Sequence, residues 1–455
     1  MKVCIVHYRL GDLDGVSLEM DKWRQVLTQL GHDVRYLAGS IGNTDGYEIP
    51  DLCLDFKPIS KIQSNAFSEF VDFKSDAEFK VEINRIKDRI KQKIQNYFDA
   101  YPLDLLIPNN LFCLPMNIPA SLALAEIIEE KNLNCINVNH DFYWERTNYQ
   151  PTISLIQEYL DKIFPPRNPN IKHVVINSLA QKQLKKRKGL EATVIPNVFY
   201  FNKEDWEFDN FNADLRNKLG ISPNDIIILQ ATRILKRKGI ELIADLISQL
   251  NTDENLKILR ERPLYDGRAF GYDNNIILVL PNLVEGFESE YKEKIENKLK
   301  NEGIKYRFCN QFFESVRIPE PDKKYSLWDS YVHADIVSFP SLQEGWGNQF
   351  LEAIKARLPI VVFEYDVYKA DIKVAGFDTI SLGSEIKGYD ESGLVTIPDK
   401  VLNEAAKKII RFLQNAEYRE RIVTKNYEIG LNEYSLSALA RYIKPLLKKF
   451  EEDIY

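Results

Sequence analysis

Glu344 and Glu352 are separated by seven residues in the stretch SFPSLQEGWGNQFLEAIKARLPIVVFEYDVY (338–368). Carboxylates at this spacing, one before a helix and one about a turn inside it, accept hydrogen bonds from sugar hydroxyls but are poor ligands for phosphate. Between them Gly345 and Gly347 flank Trp346, so the backbone can turn tightly and approach a ligand with no Cβ in the way. A helix starting near Asn348 would aim its first N–H groups and its positive dipole end at that loop, which favours a phosphate-like anion. Hydroxyls and phosphate occur together in a sugar nucleotide. A blander account fits each residue taken alone, because the dipole favours a glutamate in any first turn and glycine is ordinary in loops.

A second group with chemistry to offer is ATRILKRKG (231–239), directly after the apolar run IIILQ. Arg233 and Lys238 stand five positions apart there. A planar guanidinium can bind two phosphate oxygens and an ammonium can neutralise the remaining charge, although basic residues after a strand are also often a solvated turn. A third is His140, which leaves the run NCINVN (134–139) and opens His140-Asp141-Phe142-Tyr143-Trp144-Glu145-Arg146. Tyr143 and Trp144 offer aromatic faces to a sugar ring, and Arg146 a cation to an anionic group. A lone histidine is more often a satisfied structural residue, and position at a strand end argues the other way here.

The elements that must position these residues follow from periodicity. KVCIVH (2–7) reads as a buried strand, followed by a glycine-bearing loop and a helix from about Ser17 to Leu30. That order opens a Rossmann-like half, but its GDLDG loop is not G-x-G-x-x-G, which weighs against a dinucleotide oxidoreductase. The segment 41–76 reads as irregular, polar and aromatic. Ile83, Ile86, Ile90, Ile94 and Tyr97 mark an amphipathic helix, and the isoleucines belong to a core. Strand, helix and strand follow at 103–108, 120–131 and 134–139, then strands at 171–177 and 192–199. In the second half strands are expected at 226–230, 274–282, 305–310 and 335–339, with helices near 288–301, 402–414, 416–428 and 434–450. Pro340 stops the 335–339 strand where a parallel sheet would release the chain towards a ligand.

With 455 residues, 44% of them hydrophobic, the chain can build two or three domains with proper cores, and disorder is not indicated. A net charge of -7 argues against a dedicated nucleic-acid binder. The local cluster KQLKKRK (182–188) is either a solvated helix face or a peripheral contact with an anionic membrane or acidic acceptor. Five scattered cysteines with no C-x-x-C pair point to a reducing compartment and to neither a disulfide framework nor a zinc site. No apolar run approaches the roughly 20 residues that span a bilayer, and the N-terminus does not read as a signal peptide. A cytoplasmic protein is expected, at most peripheral on a membrane.

The 338–368 string resembles the E-x(7)-E signature of the retaining glycosyltransferases of the GT-B fold, family 4, whose text runs EGFGLxxLEAMAxGxPVV. The resemblance extends upstream, where SLWDSYVHADIVSFPS (326–341) stands in the place of LYAAADVFVLPS, and to ATRILKRKG against GRLxxEKG, with Thr232 in place of the customary Gly. GHDV (31–34) and IPNV (195–198) match further family text, and His140 falls at the family's sugar-binding strand end. At the first loop Asp14-Gly15 replaces a pair of adjacent glycines, so that Gly15 matches and Asp14 departs. Asp12 and Asp14 also spell the D-x-D metal motif of the other large glycosyltransferase fold. In that fold the motif ends a later strand, so it is discounted. DGVSLEMDKW (14–23) and HDFYWER (140–146) are most similar to members that build small glycosides.

The resemblance implies an α/β GT-B fold of two Rossmann-like domains facing a central cleft. The domains are 1–200 on the acceptor side and 201–430 for the nucleotide sugar, and a C-terminal helix in 431–455 crosses back to the first. It implies retaining transfer of a glucose- or mannose-type hexose from a UDP- or GDP-hexose to a hydroxyl, without an obligatory metal or other cofactor. Arg233, Lys238, Glu344 and His140 would be catalytic. Gly15, Arg233, Lys238, Glu344, Gly345, Trp346, Gly347, Asn348 and Glu352 would bind the donor, and Asp14, Tyr143, Trp144 and Arg146 the acceptor. Two alternatives remain: a nucleotide-sugar epimerase of the same fold, and a degenerate relative that binds nucleotide sugar or a partner without turnover.

Overall fold

A computed structural model describes residues 1–11, 15–42, 44–282 and 289–451. The chain divides into two compact units, the first made of Met1–Val198 with the chain from Leu436 onward, the second of Phe199–Ser435.

The first unit is built on a seven-stranded sheet of β1 (Lys2–Arg9), β2 (Asp33–Ser40), β3 (Tyr47–Glu48), β4 (Leu105–Pro108), β5 (Asn134–Asn139), β6 (Ile171–Val175) and β7 (Ala192–Val194). Every pairing is parallel and the order is β3-β2-β1-β4-β5-β6-β7. Its helices are α1 (Gly15–Gln29), α2 (Lys57–Phe67), α3 (Asp76–Ala100), α4 (Ile118–Glu130), α5 (Ser154–Ile163) and α6 (Ser178–Lys188). Parallel strands covered on both faces read as continuous apolar runs, and β1 is buried from Val3 to Tyr8. Successive side chains then separate by face. Cys4 and Val6 join the core under α3 and α4, while Val3 and Ile5 pack with Met20, Trp23, Val26 and Leu27 of α1. Leu439, Ile443, Leu446, Leu447 and Phe450 of the C-terminal helix complete that second core.

Helix α3 starts where Ser75 caps the Glu78 N–H at 3.3 Å while the Glu78 carboxylate accepts the Lys74 N–H at 2.8 Å. Its Ile83, Ile86, Ile90 and Ile94 are fully buried, each contributing about 1.5–3 kcal/mol of apolar burial. Two expectations need correction. The segment 41–76 is not irregular throughout, because α2 forms within it on only three periodic core positions, Ile59, Ile62 and Ala66. Buried Asn65 accepts the Val71 and Asp72 N–H groups at 3.1 and 3.0 Å and so fixes the turn that follows. The strand expected over 192–199 ends at Val194: the Ile195 N–H still reaches the Val175 carbonyl at 2.9 Å, but Pro196 has no N–H to offer the ladder.

The second unit carries β8 (Ile226–Leu229), β9 (Ile276–Leu280), β10 (Lys305–Phe308), the short parallel pair β11 (Phe313–Glu314) and β12 (Tyr325–Ser326), then β13 (Ile336–Phe339), β14 (Ile360–Val362) and β15 (Ile380–Ser381). Its main sheet is parallel, in the order β10-β9-β8-β13-β14-β15. The helices are α7 (Leu215–Lys218), α8 (Ile240–Leu250), α9 (Asp253–Glu261), α10 (Ser289–Asn301), α11 (Leu327–Val332), α12 (Asn348–Lys355), α13 (Asp399–Gln414) and α14 (Ala416–Glu433). The last helix of the chain is α15 (Leu436–Glu451), the C-terminal helix of the first unit. Ile226 and Ile228 of β8, Leu278 of β9 and Ile336 of β13 share one core with Ile240, Ile243 and Ile247 of α8. Among the described residues no helix is long and apolar enough to cross a membrane.

His173 on β6 is buried with its Nδ1 3.1 Å from Asn137 Nδ2, and burial lowers its pKa to about 4. A folded-state pKa below the unfolded value near 6.5 means that stability is fully present above about pH 6.5 and drains away as pH falls towards 4. Between pH 7.5 and 5 this group alone is expected to cost about 2 kcal/mol. Urea denaturation of the wild type and His173→Gln at the two pH values checks this, the variant's decline being smaller by that amount.

Candidate active site

In the second unit the order of strands reverses between β8 and β13, and the loops leaving those two strands part there. Beyond β8, Gln230 Nε2 donates to Thr232 Oγ1 at 2.6 Å, and Ser338 of β13 donates to Gln230 Oε1. Thr232 is therefore a buried part of a hydrogen-bonded chain that ties the two strands together, which accommodates the hydroxyl where family text has glycine. Arg233 is exposed just beyond it.

The chain then makes a tight turn over Lys236–Lys238 and leaves it through Gly239 at φ 59°. A Cβ at Gly239 would lie 2.5 Å from the Pro340 carbonyl oxygen, so glycine is required both by conformation and by space. The Leu342 N–H donates to the Arg237 carbonyl at 2.8 Å and laces this turn to the loop after β13. The lacing brings the Lys238 ammonium onto Oε1 of Glu344 and the Arg237 guanidinium to 2.6 Å from Oε2. The side chains of Lys238 and Glu344 are only 10% and 11% exposed. Burial lowers the pKa of Lys238, and Arg237 and Arg233 add to the fall, against the attraction of Glu344. Burial also opposes charge on Glu344, but Lys238 and Arg237 outweigh it and hold the carboxyl below its ordinary range.

The loop continues through Gly345, Trp346 and Gly347 into α12, whose first residue is Asn348. A Cβ at Gly347 would stand 2.6 Å from Tyr365 Oη, and the same hydroxyl donates to the Trp346 carbonyl. The Trp346 side chain is 4% exposed and turns inward, its ring 5.6 Å from that of Tyr434. Asn282 and Gln349 both donate to the Ala231 carbonyl, fixing the start of α12 beside the end of β8. One turn into α12, Glu352 accepts from Tyr331 Oη at 2.7 Å. Tyr331 is buried on α11 beside Trp206 and Trp328, which stack at 4.0 Å, and burial pushes its phenol well above the ordinary value.

The first unit has its own reversal of strand order, between β1 and β4. Gly15 opens α1 there, while Asp12 and Asp14 lie outside the described residues. The His140 N–H donates to Asn110 Oδ1 at 2.9 Å, and His140 Nε2 stands 3.4 Å from Asn109 Nδ2. His7 Nδ1 is 2.8 Å from the Asn109 carbonyl oxygen, so β1 and the residues that follow β4 and β5 meet at this strand end. The Trp144 ring stacks on Phe142 at 4.4 Å, Tyr143 meets it edge-on at 5.0 Å, and the Arg187 guanidinium lies 5.5 Å from its centroid. Arg146 pairs with Asp141. The basic cluster at the end of α6 is partly committed to local packing, since Lys188 Nζ donates to the Leu160 and Asp161 carbonyls and Lys185 pairs with Glu191 at 2.7 Å.

The structure thus brings Lys238 and Glu344 into contact and sets Arg233, Gly345, Gly347, Asn348 and Glu352 around the same two strand ends. Sequence reasoning missed Arg237, Gln349, Tyr331 and, in the first unit, His7, Asn109 and Asn110. Arg237 and Tyr331 lie inside strings whose spacing drew attention to their neighbours. Nothing in the sequence marks Gln349 or Asn109, whose roles depend on which carbonyl or ring comes within reach.

Two Rossmann-like sheets, the second carrying cations and carboxylates at its crossover, define a glycosyltransferase of the GT-B fold. Solved structures of that class align along the whole chain. They include a glycosyltransferase from Rickettsia africae (TM-score 0.62, 14% identity, 99% of this chain and 98% of that one) and HepE of Anabaena in complex with UDP and glucose (TM-score 0.57, 13% identity, 98% and 99%). Residues 211–429 match the family described as Glycosyl transferases group 1, and the chain belongs to this glycosyltransferase family. More narrowly, it is 38% identical over 437 residues to the mannosylglucosylglycerate synthase of Petrotoga mobilis, covering 96% of this chain and 99% of the relative. It is 37% identical to the enzyme of the same name from Thermotoga maritima, covering 96% and 98%.

Gly239→Ala is expected to cost at least about 2 kcal/mol, from the left-handed backbone and the collision with the Pro340 carbonyl together. Denaturant unfolding measures it, and a change below about 0.5 kcal/mol would show that the turn relaxes freely.

Proposed function

We propose that this chain is a retaining hexosyltransferase that moves a mannosyl group from a nucleoside-diphosphate sugar to glucosylglycerate, the reaction suggested by the names of its two relatives. The observation that carries the reading is the Arg233, Lys238 and Glu344 group at the β8 and β13 ends, in a chain alignable with those relatives over 96% of its length.

In this reading Arg233 and Lys238 bind the donor diphosphate and stabilise it as it leaves, assisted by the N–H groups that open α12 after Gly345, Trp346 and Gly347. Glu352 accepts from the ribose diol, and Glu344 from a hydroxyl of the donor sugar. His140 orients the sugar, with Gly15 giving the first-unit backbone close access. The bond from the anomeric carbon to the phosphate oxygen breaks as the acceptor oxygen bonds to the same face. The acceptor proton passes to the departing phosphate oxygen. No protein nucleophile is assigned, and the two cations supply the charge that a metal would otherwise bring. Asp14, Tyr143, Trp144 and Arg146 are the candidates for the acceptor side, Arg146 facing its carboxylate once released from Asp141.

Incubation with GDP-mannose or UDP-glucose, with and without glucosylglycerate, tests the activity, and the anomeric coupling in the product reports retention. Sugar conversion without acceptor would instead indicate an epimerase. Nucleotide binding with no product from any pair would indicate a chain that binds without turnover. Arg233→Ala and Lys238→Ala are each expected to lower turnover roughly a hundredfold, about 2.7 kcal/mol of transition-state stabilisation. Unchanged turnover in both would remove the diphosphate assignment. Activity is expected to survive chelator, and loss restored by Mg²⁺ or Mn²⁺ would overturn the metal-free reading. Thermal shifts with UDP, GDP, ADP and their hexose conjugates identify the base, and Glu352→Ala is expected to abolish the selective shift.

A further inference from the structure

Glu344 uses its two oxygens separately: Oε1 meets Lys238, and Oε2 accepts from Arg237 Nη1 at 2.6 Å. The two cations differ in how they are held. Lys238 is buried to 10% exposure at the root of the crevice, on a flexible stem that can swing. Arg237 is 41% exposed, and the same Nη1 lies 3.3 Å from the Gln343 carbonyl, while its own carbonyl accepts the Leu342 N–H. Arg237 is therefore anchored to the segment 342–344 at three points, independently of Lys238.

A diphosphate arriving beside Lys238 competes with Glu344 for the ammonium and repels the carboxylate. If Lys238 turned to the phosphate and no other cation held Glu344, a carboxylate only 11% exposed would keep the Ser341 hydroxyl but no opposite charge, and would be left to take up a proton or swing away. We propose that Arg237 is a positioning residue of the donor site, which keeps Glu344 charged and in place when Lys238 transfers from Glu344 to the donor diphosphate. The proposal rests on the diphosphate assignment of Lys238. It makes the ion-paired cluster a resting state, in which Lys238 is stored on Glu344 until a donor arrives. Ser341, whose side chain helps to lower the pKa of Glu344, and Tyr365, whose buried phenol is pushed up partly by Glu344, also face this carboxylate, while Arg233 acts on Lys238.

The test uses the full chain labelled with ¹³C at glutamate carboxyls, the Glu344 signal being assigned with Glu344→Gln, and inorganic pyrophosphate as the probe. Its binding is followed separately by ³¹P shift. In the wild type, Glu344 is expected to stay ionised from pH 8 to 5 with and without saturating pyrophosphate. In Arg237→Gln it stays ionised without pyrophosphate but titrates at least one pH unit higher when pyrophosphate is bound, and Arg237→Lys restores most of the difference. Turnover in Arg237→Gln is expected to fall about tenfold at pH 6 and less at pH 8, with donor KM changed less than about threefold. Pyrophosphate that binds while Glu344 titrates identically in the wild type and Arg237→Gln overturns the proposal. So does a loss of pyrophosphate affinity in Arg237→Gln as large as in Lys238→Ala, which would make Arg237 a direct phosphate ligand. Failure of the wild type to bind pyrophosphate removes the diphosphate assignment itself, which separates the two readings.

Discussion

Taking a carboxylate out of water costs several kcal/mol unless cations or donors replace the hydration it loses. Glu344 meets this constraint with two cations from a separate loop, and much of the second unit's local architecture serves that meeting. Lys238 reaches Glu344 only because Gly239 turns back in a left-handed conformation against the Pro340 carbonyl. The Leu342 to Arg237 backbone bond holds the two loops at that separation. Gln230, Thr232 and Ser338 then pin the strands from which the loops depart. A buried charged group that needs partners from elsewhere in the chain thus imposes a precise register on its surroundings.

The parallel sheets make that arrangement available. Where strand order reverses, consecutive loops leave in opposite directions and open a crevice that no side chain has to be removed to create. Both units have such a reversal, β1 against β4 and β8 against β13. The strands beneath are buried along their length, so the polar groups are carried by the loops that leave them. In the second unit even the charged side chain at the other end of β13 is structural: Asp335 accepts the Ile227 N–H at 2.8 Å and the Tyr265 hydroxyl at 3.0 Å.

Aromatic residues do a quieter part of the positioning. Tyr365 shapes the glycine loop through the Trp346 carbonyl, and Tyr331 holds one oxygen of Glu352. Both phenols are buried, so each hydroxyl depends on its one protein acceptor, and that dependence makes the geometry directional.

The amino-acid sequence by itself determined the strands and helices whose apolar period is long, such as β1, α3 and α13. It also determined the glycines and charges at 233–239 and 344–352, because local sterics and short spacings act within one loop. It missed α2, whose period rests on three residues, and overran β7, where a proline without an N–H ended the ladder. Only the tertiary structure decided that Lys238 and Arg237 share Glu344, that Tyr331 serves Glu352, and that Tyr143, Trp144 and Arg146 are already engaged with their neighbours. The Glu344 and Glu352 pairings join residues on different elements, whereas Trp144 and Arg146 find Phe142, Tyr143 and Asp141 within their own loop. The Glu344 and Glu352 pairings depend on distances of a few ångströms, set by how whole strands and helices pack, which no local spacing encodes.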